Sequence, residues 1–109
     1  MRVKKLAELL GLEELTSCGQ DKDVTGVYTC DLLSRVMVGC NEGDAWITVQ
    51  THLNVLAVAE LSEAACVIIP EGIAVDKDIA ARAEDKDIAL LSGKLSAYEM
   101  CWKLHDILK

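Results

Sequence analysis

Ala45-Trp46-Ile47-Thr48-Val49-Gln50-Thr51-His52-Leu53-Asn54-Val55-Leu56-Ala57-Val58-Ala59-Glu60-Leu61 decides how this chain folds. Trp46 to Val49 is aromatic and β-branched and reads as a buried strand. From Leu53 to Leu61 the run is apolar and long enough for a helix, and Gln50, Thr51, His52 and Asn54 fill the junction. A strand passing into a helix through a polar junction is the building unit of a parallel α/β sheet. In such sheets ligands bind at the carboxyl ends of the strands.

The same unit recurs on both sides. Upstream, Val24 to Thr29 reads as a strand. Asp31 is placed to cap a helix carrying Leu32, Leu33, Val36 and Met37, and Asn41-Glu42-Gly43-Asp44 breaks that helix. Downstream, the strand Cys66-Val67-Ile68-Ile69 is closed by Pro70, and a helix over Lys77 to Ala83 leads to the strand Ile88-Ala89-Leu90-Leu91. Three strand–helix–strand repeats imply a parallel sheet with right-handed crossovers.

The ends of the chain complete this plan. Val3, Leu6, Leu9 and Leu10 fall at helical spacing, with Gly11 placed to end the helix in the left-handed region. Leu12 to Thr16 reads as a strand, and Ser17 to Asp23 is too short for a parallel crossover, so this strand is expected to be antiparallel or at an edge. Ser96 and Glu99 form a capping box, with Leu95 and Met100 at the positions of a hydrophobic staple. Cys101, Leu104 and Leu108 then form one stripe, and Lys103 and Lys109 lie near the negative end of the helix dipole. The expected fold is a three-layer α/β/α domain over residues 1–109, with a largely parallel sheet of about five strands.

Composition narrows the function. The chain is 51% hydrophobic without a single Phe, so its core is aliphatic. Its net charge is -7, and its only basic cluster is Arg2, Lys4 and Lys5, which argues against nucleic acid as a partner. No apolar run is long enough for a membrane helix and the opening residues do not form a signal peptide, so the expectation is a cytoplasmic protein that meets no membrane. Cys18, Cys30, Cys40, Cys66 and Cys101 are odd in number and lack a Cys-x-x-Cys, which points to reduced thiols. Cys66 and Cys101 read as core, and Cys30, at a strand end, is the one to watch. No spacing suggests a metal site, and no cofactor is expected.

The residues just past the parallel strands should gather on one edge of the sheet: Asp31, then Gln50, Thr51, His52 and Asn54, then Glu71, then Ser92 and Lys94. His52 offers a donor, a base or a ligand contact, against a plainer role in starting its helix. Ser92-Gly93-Lys94 lacks the flanking Gly and Ser/Thr of a phosphate-binding loop, yet Lys94 can meet an anion there. Asp31 is explained by capping, and the Glu84-Asp85-Lys86-Asp87 turn reads as solvated. No nucleophile, base and orienter occur as a set. A hydrolase or transferase using His52 with Asp31 or Glu71 therefore ranks last, and the chain reads as a non-enzyme.

Asp31-Leu32-Leu33-Ser34, Glu42 to Asn54 and Leu90 to Glu99 together resemble stand-alone DRTGG-type domains. These are similar to the N-terminal domain of HPr kinase/phosphorylase and to regulatory modules found beside CBS domain pairs or inside phosphotransacetylases. The Asp-Arg-Thr-Gly-Gly signature is replaced here by Gln50-Thr51-His52-Leu53-Asn54, and there is no counterpart of the kinase domain. The resemblance implies a three-layer α/β fold, self-association as a homodimer, and regulation or ligand sensing. The leading expectation is a non-catalytic module that binds a polar or anionic metabolite or nucleotide through Asp31, Gln50, Thr51, His52, Asn54, Glu71, Ser92 and Lys94. The alternative is a protein-interaction accessory of a redox or hydrogenase-related system without its own ligand.

Overall fold

A computed structural model describes residues 1–108, so Lys109 and its expected place at the last helix end lie outside the described residues. In chain order the elements are α1 (Val3–Leu10), β1 (Glu13–Glu14), β2 (Gly26–Thr29), α2 (Leu33–Gly39), β3 (Asp44–Ile47), α3 (Leu53–Ser62), β4 (Cys66–Ile69), α4 (Lys77–Asp85), β5 (Leu90–Ser92) and α5 (Ala97–Leu108). The sheet order is β1-β5-β4-β3-β2, with β2 to β5 parallel and β1 antiparallel on the outer side of β5. The expected largely parallel five-stranded sheet is present, and its first strand is both antiparallel and at an edge.

Side chains alternate across the sheet, as the two-residue period of a strand requires. Ala45, Ile47, Cys66, Ile68, Ala89 and Leu91 face one side, where α1 and α5 supply Val3, Leu6, Met100 and Leu104. Trp46, Val67, Ile69 and Leu90 face the other, where α2, α3 and α4 supply Val36, Val55, Leu56, Ala59 and Ala83. All three crossover helices therefore share one face, as successive crossovers of one hand in one direction must.

Local signals explain most element ends. Gly11 takes the left-handed conformation (φ 66°) and its N–H closes α1 onto the Ala7 and Glu8 carbonyls. The capping box is formed in full: Ser96 N–H donates to Glu99 Oε1 at 3.2 Å, and Glu99 N–H donates to Ser96 Oγ at 3.1 Å. Leu95 and Met100 pack in the same core cluster, as a staple should.

Four expectations need correction. Helix α2 begins at Leu33 with Leu32 at its N-cap, so Asp31 does not cap it. The inward stripe is accordingly Leu33, Val36 and Cys40, which leaves Leu32 and Met37 exposed. Leu9 is likewise half-exposed, with Ala7 turned inward in its place. Finally, the acidic turn after α4 is not wholly solvated, because Glu84 Oε1 accepts from Ser17 N–H at 2.8 Å and Ser17 Oγ at 2.9 Å. Those bonds, the backbone one foremost, hold the Glu84 carboxyl below its ordinary range and tie the β1–β2 loop to α4.

All five cysteines are free. Cys66 is buried in the sheet and desolvation pushes its thiol up to about 12; burial, with help from nearby Asp44, pushes Cys40 up to about 11. Cys101 is partly buried: it packs against the core cluster as expected and also lines a groove beside β2. Among the described residues, no helix is long and apolar enough to cross a membrane.

Candidate functional site

The parallel strands bring every expected residue to the carboxyl edge of the sheet, but not to one place. Neighbouring strands lie about 4.8 Å apart, so Asp31 after β2 and Glu71 after β4 are separated by about 10 Å of sheet, and Asp31 and Lys94 by about 14 Å. Seven of the eight residues fall into three groups, with Gln50 shared by two of them, and Glu71 stands apart in a turn.

Asp31, Gln50 and the buried Thr48 form a strap across the ends of β2 and β3. Asp31 Oδ1 accepts from Thr48 Oγ1 and from Val49 N–H, both at 2.9 Å. Gln50 returns the tie: its Nε2 donates to the Asp31 carbonyl at 3.1 Å and its N–H donates to Thr48 Oγ1 at 3.2 Å. These bonds account for Asp31 as a connector between two loops. Thr48→Val keeps the shape but removes the charge-assisted bond and leaves the Gln50 N–H without its side-chain acceptor. The expected loss is about 1–2 kcal/mol in urea unfolding; unchanged stability would show that the strap carries no load.

His52 is the N-cap of α3, with Nδ1 accepting from Asn54 N–H at 3.2 Å. The plainer reading of His52 as a satisfied helix-start residue is what the structure shows, and Asn54 enters as its backbone partner. The side chain is otherwise exposed. Gln50, Thr51 and His52 line a shallow groove of about 500 Å³ with Val49, Leu53, Asp76 and Ile79. The acid facing them, Asp76, belongs to the N-cap of α4.

Ser92 and Lys94 lie instead in a crevice of about 700 Å³, bounded by Leu10, Gly11, Glu13 and Leu15 on one side and Gly72 to Val75 on the other. Topology explains the crevice. The chain leaves β2, β3 and β4 toward the same face, but leaves β5 toward α5 on the opposite face. The one place where adjacent parallel strands send their connections to opposite sides is therefore between β4 and β5. Open α/β sheets form their ligand crevice at such a point. The three crossover helices also cover only the gaps between β2, β3, β4 and β5, so the β1–β5 gap stays open on that face.

The crevice wall is rigid. After β4 and β5 the two loops stay paired: Gly93 N–H donates to the Ile69 carbonyl at 3.0 Å, Gly72 N–H to the Gly93 carbonyl at 2.8 Å, and Glu71 N–H to the Leu95 carbonyl at 2.9 Å. Glu71 and Gly72 both adopt positive φ (63° and 66°) in a tight turn closed by Ile73 N–H on the Pro70 carbonyl. Glu71 thus shapes the turn and does not line the crevice. A Cβ at Gly93 would stand 2.5 Å from Leu12 Cδ2, so a side chain there requires the end of Leu12 to shift.

Sequence reasoning missed Glu13, Ile73 and Val75 in this crevice and Thr48 in the strap. Glu13 carries no local signal, because its position depends on β1 adding to β5 from the far end of the fold. Thr48 reads simply as one more β-branched strand residue. Among the described residues, no group of three or more His, Cys, Asp or Glu is placed to hold a metal ion.

No protein-family model and no curated protein matches the sequence. Among solved structures, the fold is similar to a crystal structure of the CBS and DRTGG domains of the regulatory region of Clostridium perfringens pyrophosphatase, complexed with its activator, diadenosine tetraphosphate. The TM-score is 0.67 at 13% sequence identity, over 91% of this chain and 44% of that one. The chain therefore has a DRTGG/CBS-like α/β fold and spans less than half the length of the regulatory region it resembles.

Proposed function

We propose that this chain is a non-catalytic regulatory module of the DRTGG type, sharing the architecture of the HPr kinase/phosphorylase N-terminal domain, and that it senses a polar or anionic metabolite or nucleotide. The observation that carries this reading is the crevice between β1 and the paired loops that follow β4 and β5, where Ser92 and Lys94 lie beside aliphatic side chains. A pyrophosphatase regulatory region with this fold is bound to a nucleotide activator, which favours regulation over catalysis. Within the expected set, Ser92 and Lys94 are the favoured ligand contacts. Gln50, Thr51 and His52 line only a shallow groove, and Asp31 and Asn54 have structural partners.

The module works as a homodimer in the cytoplasm in this reading. Its candidate interface is the outer face of α2 and α3, which exposes Met37, Val38 and Leu61. The redox-accessory alternative finds no counterpart in the comparison. A thermal-shift panel of nucleotides, sugar phosphates and organic acids tests the sensing function, with at least one compound expected to raise Tm in proportion to its occupancy. A panel without a shift would sink it.

A further inference from the structure

The two edges of the sheet are built differently. At one end, β1 is two residues long and both are exposed glutamates, Glu13 and Glu14, so a strand arriving there meets charge and little backbone. Short length and charge are the usual means of blocking an open edge. At the other end, β2 is Gly26-Val27-Tyr28-Thr29, which is twice as long, uncharged, free of proline and rich in strand-forming residues. Among the described residues it pairs only with β3.

The open side of β2 presents a defined set of bonding groups. Cys30 N–H donates to the Ile47 carbonyl of β3 at 3.4 Å. In a parallel pair, alternate residues turn both their N–H and their C=O to the neighbouring strand. Gly26 and Tyr28 therefore turn inward with Cys30, and Val27 and Thr29 turn their backbone groups outward. The side chains of Val27 and Thr29 line a groove of about 460 Å³ with Cys101, His105 and Leu108 of α5, and no acidic side chain lines it. Tyr28 points to the other face, where its hydroxyl donates to the Arg35 carbonyl at 3.3 Å and ties β2 to α2.

An extended polypeptide is the occupant that matches both features: its backbone supplies the missing N–H and C=O partners, and every second side chain falls into the groove. A second copy fits less well. Pairing β2 with itself about a two-fold axis joins only about 13 Å of strand, a small part of the roughly 800 Å² per partner that a stable dimer buries. It also brings together two chains of net charge -7, and Asp31, just past the end of β2, joins no ion pair among the described residues. A segment flanked by basic residues meets attraction at the same place.

We infer that β2 is a docking edge for an extended segment of a partner protein, apolar at alternate positions and flanked by basic residues, which adds to the sheet as a further strand. Val27 and Thr29 each exchange N–H and C=O bonds with that segment. This interface goes beyond the sensing function proposed above and stands or falls separately from it.

The test uses the full chain and a capped peptide in which valine alternates with threonine between terminal lysines, followed by calorimetry, amide NMR and hydrogen exchange. The peptide is expected to bind saturably, with shifts concentrated at Gly26 to Cys30 and Cys101 to Leu108, and to slow exchange of the Val27 and Thr29 amides at least about tenfold. Methylating the peptide's backbone nitrogens should weaken binding at least about tenfold, and so should Thr29→Pro, which removes an outward donor at an edge position that tolerates proline. Thr29→Lys should do the same by placing on the edge the charge that usually blocks one, and because this side chain is exposed the variant keeps the test open should proline unfold the strand. No binding by the peptide, equal binding by its methylated form, or shifts confined to other surfaces would overturn the docking edge. Self-association of the parent chain that Thr29→Lys abolishes would put a second copy on the edge and overturn the partner.

Discussion

Trp46→Ala is expected to destabilise the fold by about 3–5 kcal/mol, the range for removing a large aromatic ring from a close-packed core. Trp46 is fully buried (0% exposed) on β3, which has β4 and β2 on its two sides, and its ring packs in the cluster formed with α2, α3 and α4. The ring is also held by a polar contact, with Nε1 donating to the Cys30 carbonyl at 3.0 Å. Alanine would leave a cavity and remove the partner of a half-buried carbonyl. A chain of this length has about 5–15 kcal/mol in total, so the variant loses a large share of its stability and should unfold at a much lower urea concentration. Trp46→Phe fills most of the space and loses only the hydrogen bond, so it should cost less than half as much. Urea unfolding followed by circular dichroism separates the two, with midpoints falling at an unchanged slope. Equal midpoints for the two variants would mean that the bond, and not the ring, holds this part of the core.

The elements and their order were legible because each left a local mark in the chain. Trp46-Ile47 and Cys66 to Ile69 are apolar runs of strand length, Gly11 marks a helix end, and Ser96 with Glu99 marks a helix start. What escaped depends on contacts between elements distant in sequence. Asp31 has the right residue type and position for a cap, yet its carboxylate bonds to Thr48 and Val49 across the strand ends. A local preference lost to a tertiary one, because the buried Thr48 hydroxyl and the strand-end N–H offer better-placed donors than an exposed helix start.

The candidate site was legible to the level of one sheet edge and no further. Alternation of strands and helices predicts which residues reach that edge, but not the face to which each connection turns. Only α5, packing opposite α2 to α4, makes the β4–β5 end the point of divergence. That choice depends on α1 and α5 filling the second layer together, which no single segment announces.

The same layer arrangement gives the second large expected effect, on self-association. Helices α2, α3 and α4 lie side by side on one face, but their outer surfaces differ. Five of the nine residues of α4, Lys77, Asp78, Arg82, Glu84 and Asp85, are charged. In α3 the only charged residue of ten is Glu60, and the exposed stripe is Leu53, Ala57 and Leu61; α2 adds Met37 and Val38 with Arg35 as its only charge. A helix that is apolar on all sides is ordinarily covered on all sides. Two copies of a chain of net charge -7 repel, and α2 and α3 are where acidic side chains are sparsest, so a second copy meets least repulsion there. In a two-fold interface each position counts twice, and Val38 (80% exposed) and Leu61 (67% exposed) are available to both partners. Val38→Glu with Leu61→Glu should therefore place four like charges at the contact and weaken dimerisation by at least about 100-fold, equivalent to about 3 kcal/mol. Sedimentation equilibrium should show a dimer for the parent chain and a monomer for the double variant, with unchanged circular dichroism because neither side chain is in the core. A parent chain that stays monomeric, or a double variant that stays dimeric, would place the interface elsewhere or remove it.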